Sequence, residues 1–250
     1  MKYILTLLTV LFIFSCTNEL VENSIENIQP EYLNENNSFD FVGIKHNSAL
    51  LYAANQIDIY KSSDLELYNA ISQYVRTDSF NPYSEVPYLS VLDLCPTGCD
   101  FTAYLKVAGI SDFETISIYS QLQKIVFSNK RDISDLSLLL SDIKTYENEL
   151  IQSGKISSLS LGTFSIIRNS LHFWYNASID KTHPYHSWVS NIQGTKGWNS
   201  LSLAYALTDA YVYSSCMSVG AGSSYDDEER ANEICIADAA FGSARAFGEI

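Results

Sequence analysis

Apolar residues recur at helical intervals through most of this chain, and the strict alternation that marks strands is scarce. From Ser38 or Asp40, the positions Phe41, Ile44, Leu50 and Leu51 predict a first helix ending near Gln56. Ser63-Asp-Leu-Glu66 has the form of a capping box, in which serine and glutamate satisfy each other's free backbone donors, and Leu67, Tyr68, Ile71, Tyr74 and Val75 follow on one face. A second helix over about 64–76 follows. A further capping box, Ser111-Asp-Phe-Glu114, opens a helix carrying Ile118, Leu122, Ile125 and Val126. Asp132 caps the next, whose stripe of Leu136, Leu139, Leu140, Ile143, Tyr146 and Leu150 ends at Gly154. The short connection through Asn129 and Lys130 makes these two an antiparallel hairpin. Leu159 to about Ser178 continues as an apolar helix, followed by a loop with His183-Pro-Tyr-His186 and Gly194-Thr-Lys-Gly197. Trp198 to about Met217 is helical again. Asp226, Asp227, Glu228 and Glu229 place negative charge in the first turn of a last helix ending near Phe247, where it complements the helix dipole. Residues 77–110, broken by Pro82 and Pro87, carry no readable period. The expectation is an all-α bundle of about seven helices in one domain, 39–250, with no fixed-period repeat.

The stretch before the bundle reads differently. Lys2 precedes an apolar run, Tyr3 to Phe14, too short to span a bilayer as a permanent helix, and Ile13-Phe14-Ser15-Cys16 ends it with a small residue before a cysteine. This ending is similar to the lipobox of bacterial lipoproteins and implies cleavage of a signal peptide, 1–15, and acylation of Cys16. Residues 16–38, rich in Asn and Glu, are expected to form a flexible tether.

Composition narrows the picture. The chain is 46% hydrophobic with 17 Tyr, 12 Phe, 11 Gly and 5 Pro, the make-up of a packed globule. Its formal charge of −14 makes the surface acidic, which disfavours nucleic acid and anionic head groups. Removing the first fifteen residues leaves 235, enough for a substantial core. Besides Cys16 there are four cysteines, Cys95, Cys99, Cys216 and Cys235. An even number in an exported chain points to two disulfides, either between near neighbours or joining the Cys95–Cys99 loop to the C-terminal pair. The C-x3-C spacing does not suit a zinc site, and no cofactor is implied.

The first helix reads Gly43-x-x-His46-Asn47-x-x-Leu50, and the last contains Ala237-Asp-Ala-Ala-Phe-Gly242. Together with the lipobox and the Asn-rich tether, these resemble a class of uncharacterised Bacteroidota lipoproteins. The resemblance covers the two ends of the chain and implies an exported helical domain with no catalytic residues to carry over. Helical SusD-like glycan binders are much longer and carry helical repeats.

Candidate chemistry concentrates in residues 172–198, which hold His172, His183 and His186, all three tryptophans (Trp174, Trp188 and Trp198), and Tyr175 and Tyr185. One reading is a ligand-binding rim of His172, Trp174, Tyr185, His186, Trp188 and Trp198 for a glycan or peptide, since aromatic faces with polar edges suit such ligands. The other is a loop folded onto the bundle and pinned by its aromatics, the commoner use of such residues. His183-x-x-His186 lacks a complete metal ligand set, and Pro184 interrupts the helix that would present it. His46-Asn47 offers either acid–base chemistry or a hydrogen bond that fixes the bundle, and Arg168 with His172 one turn later has room for an anion. Gly220-x-Gly222 lacks the strand of a nucleotide loop. Residues 226–229 lack the alternating ligands of a calcium loop, and no Gly-x-Ser-x-Gly is present.

The expected function is therefore a non-enzymatic lipoprotein of the outer membrane. It is held to the membrane through lipid on Cys16 and binds a glycan, peptide or envelope protein through the aromatic loop. The alternatives are a small glycan or peptidoglycan hydrolase using a carboxylate pair, and a structural protein whose small-residue last helix packs on a partner.

Overall fold

In the computed structural model, residues 30–75, 113–127, 136–193, 198–220 and 228–248 are described. They contain eight helices and no strand: α1 (Phe41–Gln56), α2 (Asp64–Val75), α3 (Phe113–Phe127), α4 (Leu136–Ser153), α5 (Ser158–Ile179), α6 (His186–Gln193), α7 (Trp198–Gly220) and α8 (Glu228–Gly248). The expected all-α bundle is borne out.

The termini follow the predicted local chemistry. Ser63 N donates to Glu66 Oε2 at 2.8 Å and Glu66 N to Ser63 Oγ at 3.3 Å, the reciprocal capping box before α2. Gly154 takes φ +64° beyond α4, and Lys155 N donates to Leu150 O at 3.2 Å, closing the helix with a left-handed cap. Glu114 Oε1 accepts from Ser157 N at 3.0 Å at the start of α5. Ser111, Asp132, the Asn129–Lys130 connection and residues 77–110 lie outside the described residues.

Two helices with no polar face form the centre. Gly162–Leu171 of α5 and Tyr205–Ser215 of α7 are buried at every position, which is what an all-round apolar or small-residue sequence requires. Buried hydroxyls bond within their own helix, Thr163 Oγ1 to Leu159 O at 2.9 Å and Ser214 Oγ to Ala210 O at 2.8 Å, and so cost little. α5 packs on α7, α7 on α8, and α1 closes the ring by touching both α5 and α8; α2 covers α1 and α8, while α3 and α4 flank α5. The Cys216–Cys235 disulfide joins α7 to α8. That bond rules out the pairing with the Cys95–Cys99 loop, and Cys95 and Cys99 themselves lie outside the described residues. Closing a loop of 19 residues stabilises the fold by about 3 kcal/mol through the unfolded chain.

The small residues of α8 are used inside this chain. Ala237, Ala239, Ala240 and Ala244 are fully buried, and a Cβ on Gly242 would stand 3.4 Å from Val212 on α7. The described part of the small-residue stripe, through Ala244, is thus covered by neighbouring helices.

Two segments differ from the sequence expectation. α6 occupies part of the loop predicted between about Ser178 and Trp198, because Val189 is buried and Trp188 packs its ring against Tyr60 and Tyr185, and this tertiary contact sustains a helix of only eight residues. The compact unit also begins at Glu31, inside the predicted tether. Asn34 and Asn37 are buried against α4 and α5, so residues 31–38 belong to the bundle.

Candidate functional site

A groove of about 410 Å³ runs between α1 and α5. Ile44, Asn47, Ser48 and Leu51 of α1 face Asn169, His172, Phe173 and Asn176 of α5; Tyr32 and Leu33 form one wall, and His183 lies beyond α5. Residues 44, 47, 48 and 51, like 169, 172, 173 and 176, recur at three- and four-residue spacing, so each set lies on one helix face. The volume falls within the usual range for small-molecule pockets.

The two helices approach closely because Gly43 has no side chain. Its N donates to Ser165 Oγ at 2.9 Å, and Asn47 Nδ2 donates to Asn169 O at 2.8 Å. His46 points the other way. Its Nε2 lies 3.6 Å from Asp209 Oδ2 on α7, both side chains being fully buried, and its Nδ1 sits 3.0 Å from Asn47 Oδ1. Ser170 and Trp174 also donate to Asp209 Oδ2, Trp174 Nε1 at 3.2 Å. Burial pushes the Asp209 carboxyl up, against the opposing pull of His46, Ser170 and Trp174. This cluster is sealed from the groove's solvent side and ties α1, α5 and α7 together. The Gly-x-x-His-Asn-x-x-Leu pattern is therefore the packing face of α1, with Leu50 fully buried at its end.

Within the groove the polar groups are neutral. Among the described residues, no Asp, Glu, Lys or Arg lines it. Burial lowers the pKa of His172, opposed by Glu31, and that of His183, which Asp180 opposes and His186 reinforces, so both rings are uncharged near neutrality. Asn176 Nδ2 lies 3.2 Å from the His172 ring, and Tyr32 stacks on that ring with centroids 4.1 Å apart. Asn169 is 1% exposed; its Nδ2 donates to Ser165 O at 2.9 Å, whereas its Oδ1 has no hydrogen-bond partner. A buried amide oxygen without a donor is costly. Ile44 and Leu51 supply an apolar border, 42% and 38% exposed.

Of the residues proposed for an aromatic rim whose side chains are described, only His172 lines the groove. Trp174 and Tyr185 are fully buried and pack edge-on with centroids 5.6 Å apart, and Tyr185 Oη donates to Leu50 O at 3.0 Å. They pin the turn after α5 to the bundle and offer no face to a ligand. His186 begins α6 with its Nδ1 2.9 Å from Ala177 O, and Trp188 is half-buried over Tyr60. Trp198 starts α7, and its side chain lies outside the described residues, as does Cys16. Arg168 is buried and engaged by Asp40 and Glu147, so it holds no place for an anion with His172. Among the described residues no group of three or more His, Cys, Asp or Glu side chains is placed to hold a metal, and no helix is long and apolar enough to cross a membrane. Sequence reasoning missed Asn169, Asn176 and Tyr32. The first two stand on a helix whose wholly buried middle leaves no polar stripe to mark them, and Tyr32 lies in a segment without periodicity.

One carboxyl outside the groove has a measurable consequence. Asp238 on α8 is raised by burial from the ordinary 3.8 to about 7. An acid whose folded pKa is raised destabilises the fold once ionised, so this penalty is absent below about pH 4 and complete above about pH 7. The full shift is worth on the order of 4 kcal/mol. Asp238→Asn is therefore expected to raise the urea midpoint over wild type at pH 8 and to leave it unchanged at pH 4. His172 and His183 act with the opposite sign, losing stability as pH falls below 6.5, and they cancel in this comparison. Equal midpoints at pH 8 would show that Asp238 ionises without cost.

The chain matches no protein-family description, no curated protein and no solved structure, and its functional reading rests on the groove itself.

Proposed function

We propose that this protein is a lipid-anchored binding protein of the bacterial outer membrane, non-catalytic, whose α1–α5 groove takes an uncharged ligand bearing hydroxyl or amide groups and one apolar face. A neutral sugar of one or two rings has that chemistry. The observation that carries the reading is the groove's lining: Asn47, Asn169 and Asn176 and two neutral histidines beside Ile44, Leu51 and Phe173, with no formal charge among the described lining residues of a chain whose net charge is −14. Charged ligands would lose hydration there without gaining a counter-charge. The lipobox ending in Cys16 supplies the anchoring half of the proposal. The hydrolase alternative gains no support from this groove, because glycoside hydrolysis needs two flanking carboxyl groups and the described lining residues include none.

Titration calorimetry against neutral hexoses, N-acetylhexosamines and their dimers, with uronic acids and short peptides as comparison, tests the reading. Wild type is expected to bind at least one neutral sugar, and Asn176→Leu to weaken it about tenfold or more with an unchanged melting temperature. Preference for a uronic acid or a peptide would overturn the ligand class, and release of new reducing ends would return the hydrolase.

A further inference from the structure

Tyr32 and Leu33 reach the groove from the segment that precedes α1. Within residues 31–40 the only fully buried side chains are polar, Asn34 and Asn37, so hydrogen bonds hold this segment where apolar burial is slight. Both amides end on one group. Asn34 Nδ2 donates to Glu147 Oε2 and Asn37 Nδ2 to Glu147 Oε1, each at 2.6 Å, and Asn37 Nδ2 also reaches Leu161 O at 2.8 Å. Glu147, on α4 and fully buried, pairs with Arg168 of α5, whose Nε lies 2.9 Å from Oε2. Arg168 in turn donates to Tyr32 O and to Asp40 Oδ1, and Asn34 N donates to Asp40 Oδ2 at 3.0 Å. The segment is clamped at its start, middle and end by one buried ion pair, neither member of which lines the groove.

We infer that Glu147 is a positioning residue for the groove: by holding Asn34 and Asn37 it fixes the 31–40 strap, and with it the Tyr32 wall stacked on His172. For ligand binding the inference rests on the groove reading above, but the placement of Tyr32 is testable without any ligand. Release of the strap would remove one side of the groove and expose the His172 ring, while the α5–α7 centre, which the strap's amides reach only through Asn37 Nδ2 to Leu161 O near the start of α5, would stay packed.

The test is E147Q in the mature full-length chain. Glutamine keeps the shape but turns one acceptor oxygen into a donor facing an asparagine donor, so one strap contact becomes repulsive. Expected are amide exchange over residues 31–40 faster by about tenfold or more, loss of the Tyr32 ring-current shift on the His172 protons, and unchanged exchange in α7. A merely structural Glu147 would lower the melting temperature while leaving the His172 shift and the strap's relative protection intact, and that result overturns the inference. Should E147Q fail to fold, Asn37→Ala removes one strap donor and spares the ion pair, with the same readouts deciding. With N-acetylglucosamine as probe, affinity should fall in E147Q in step with the His172 shift. If wild type binds no neutral sugar, the ligand class fails, yet the His172 and exchange measurements still decide the role of Glu147.

Discussion

Gly43→Ala is expected to cost at least about 3 kcal/mol, a fall of roughly 6–12 °C in melting temperature for a domain of this size. The added Cβ would stand 2.3 Å from Ser165 O and 2.6 Å from Asn169 Nδ2. The nearer obstacle is backbone in the middle of α5, which cannot rotate away, so α1 must move outward. That movement stretches the Gly43 N to Ser165 Oγ and Asn47 Nδ2 to Asn169 O bonds, and it draws His46 from Asp209. Gly242→Ala is the control, because its Cβ meets only Val212 at ordinary contact distance and should change stability by less than about 1 kcal/mol. Thermal unfolding of both variants checks the pair of values. Equal losses would mean that the α1–α5 approach is not the tight point of the bundle.

The second large effect is expected from Arg168→Met, at about 3–5 kcal/mol in urea unfolding. Methionine fills much of the volume but leaves Glu147 and Asp40 without their cation, and Glu147 is sealed from water. Burial already pushes the Glu147 carboxyl up, with Arg168 and the amides of Asn34 and Asn37 pulling against it, so loss of the guanidinium drives it toward the protonated form. Replacing both members of the pair, Arg168→Met with Glu147→Met, should restore part of the loss, since no unpaired buried charge remains. Recovery stays incomplete because Asn34 and Asn37 lose their acceptor. A cost under about 1 kcal/mol for the single variant would show that the ion pair is solvated and does not clamp the strap.

These two sites show where local sequence runs out. Gly43 is visible as part of a Gly-x-x-His-Asn pattern, but nothing local says that a carbonyl of residue 165 stands against it. Arg168 and His172 lie one turn apart and invite an anion between them, yet the guanidinium faces Glu147 and Asp40 while the imidazole turns to Tyr32 and Asn176. The aromatic cluster of residues 172–198 is similarly two-faced. Spacing cannot distinguish a tryptophan that pins a turn from one that stacks on a ligand, and the burial of Trp174 and Tyr185 settles their role as packing.

By itself the sequence determined the elements, because their signals are local. Three- and four-residue apolar spacing marked α1 to α5, an acidic first turn marked α8, a reciprocal Ser63–Glu66 cap started α2, and a glycine in the left-handed conformation stopped α4. Tertiary structure alone decided the groove and the strap. The groove exists because residues more than a hundred positions apart meet across a glycine, and the strap is ordered because two asparagines with no apolar pattern find one buried carboxylate. Hydrogen bonds between distant buried groups leave no period in a sequence, since they depend on which faces the packed helices turn toward each other.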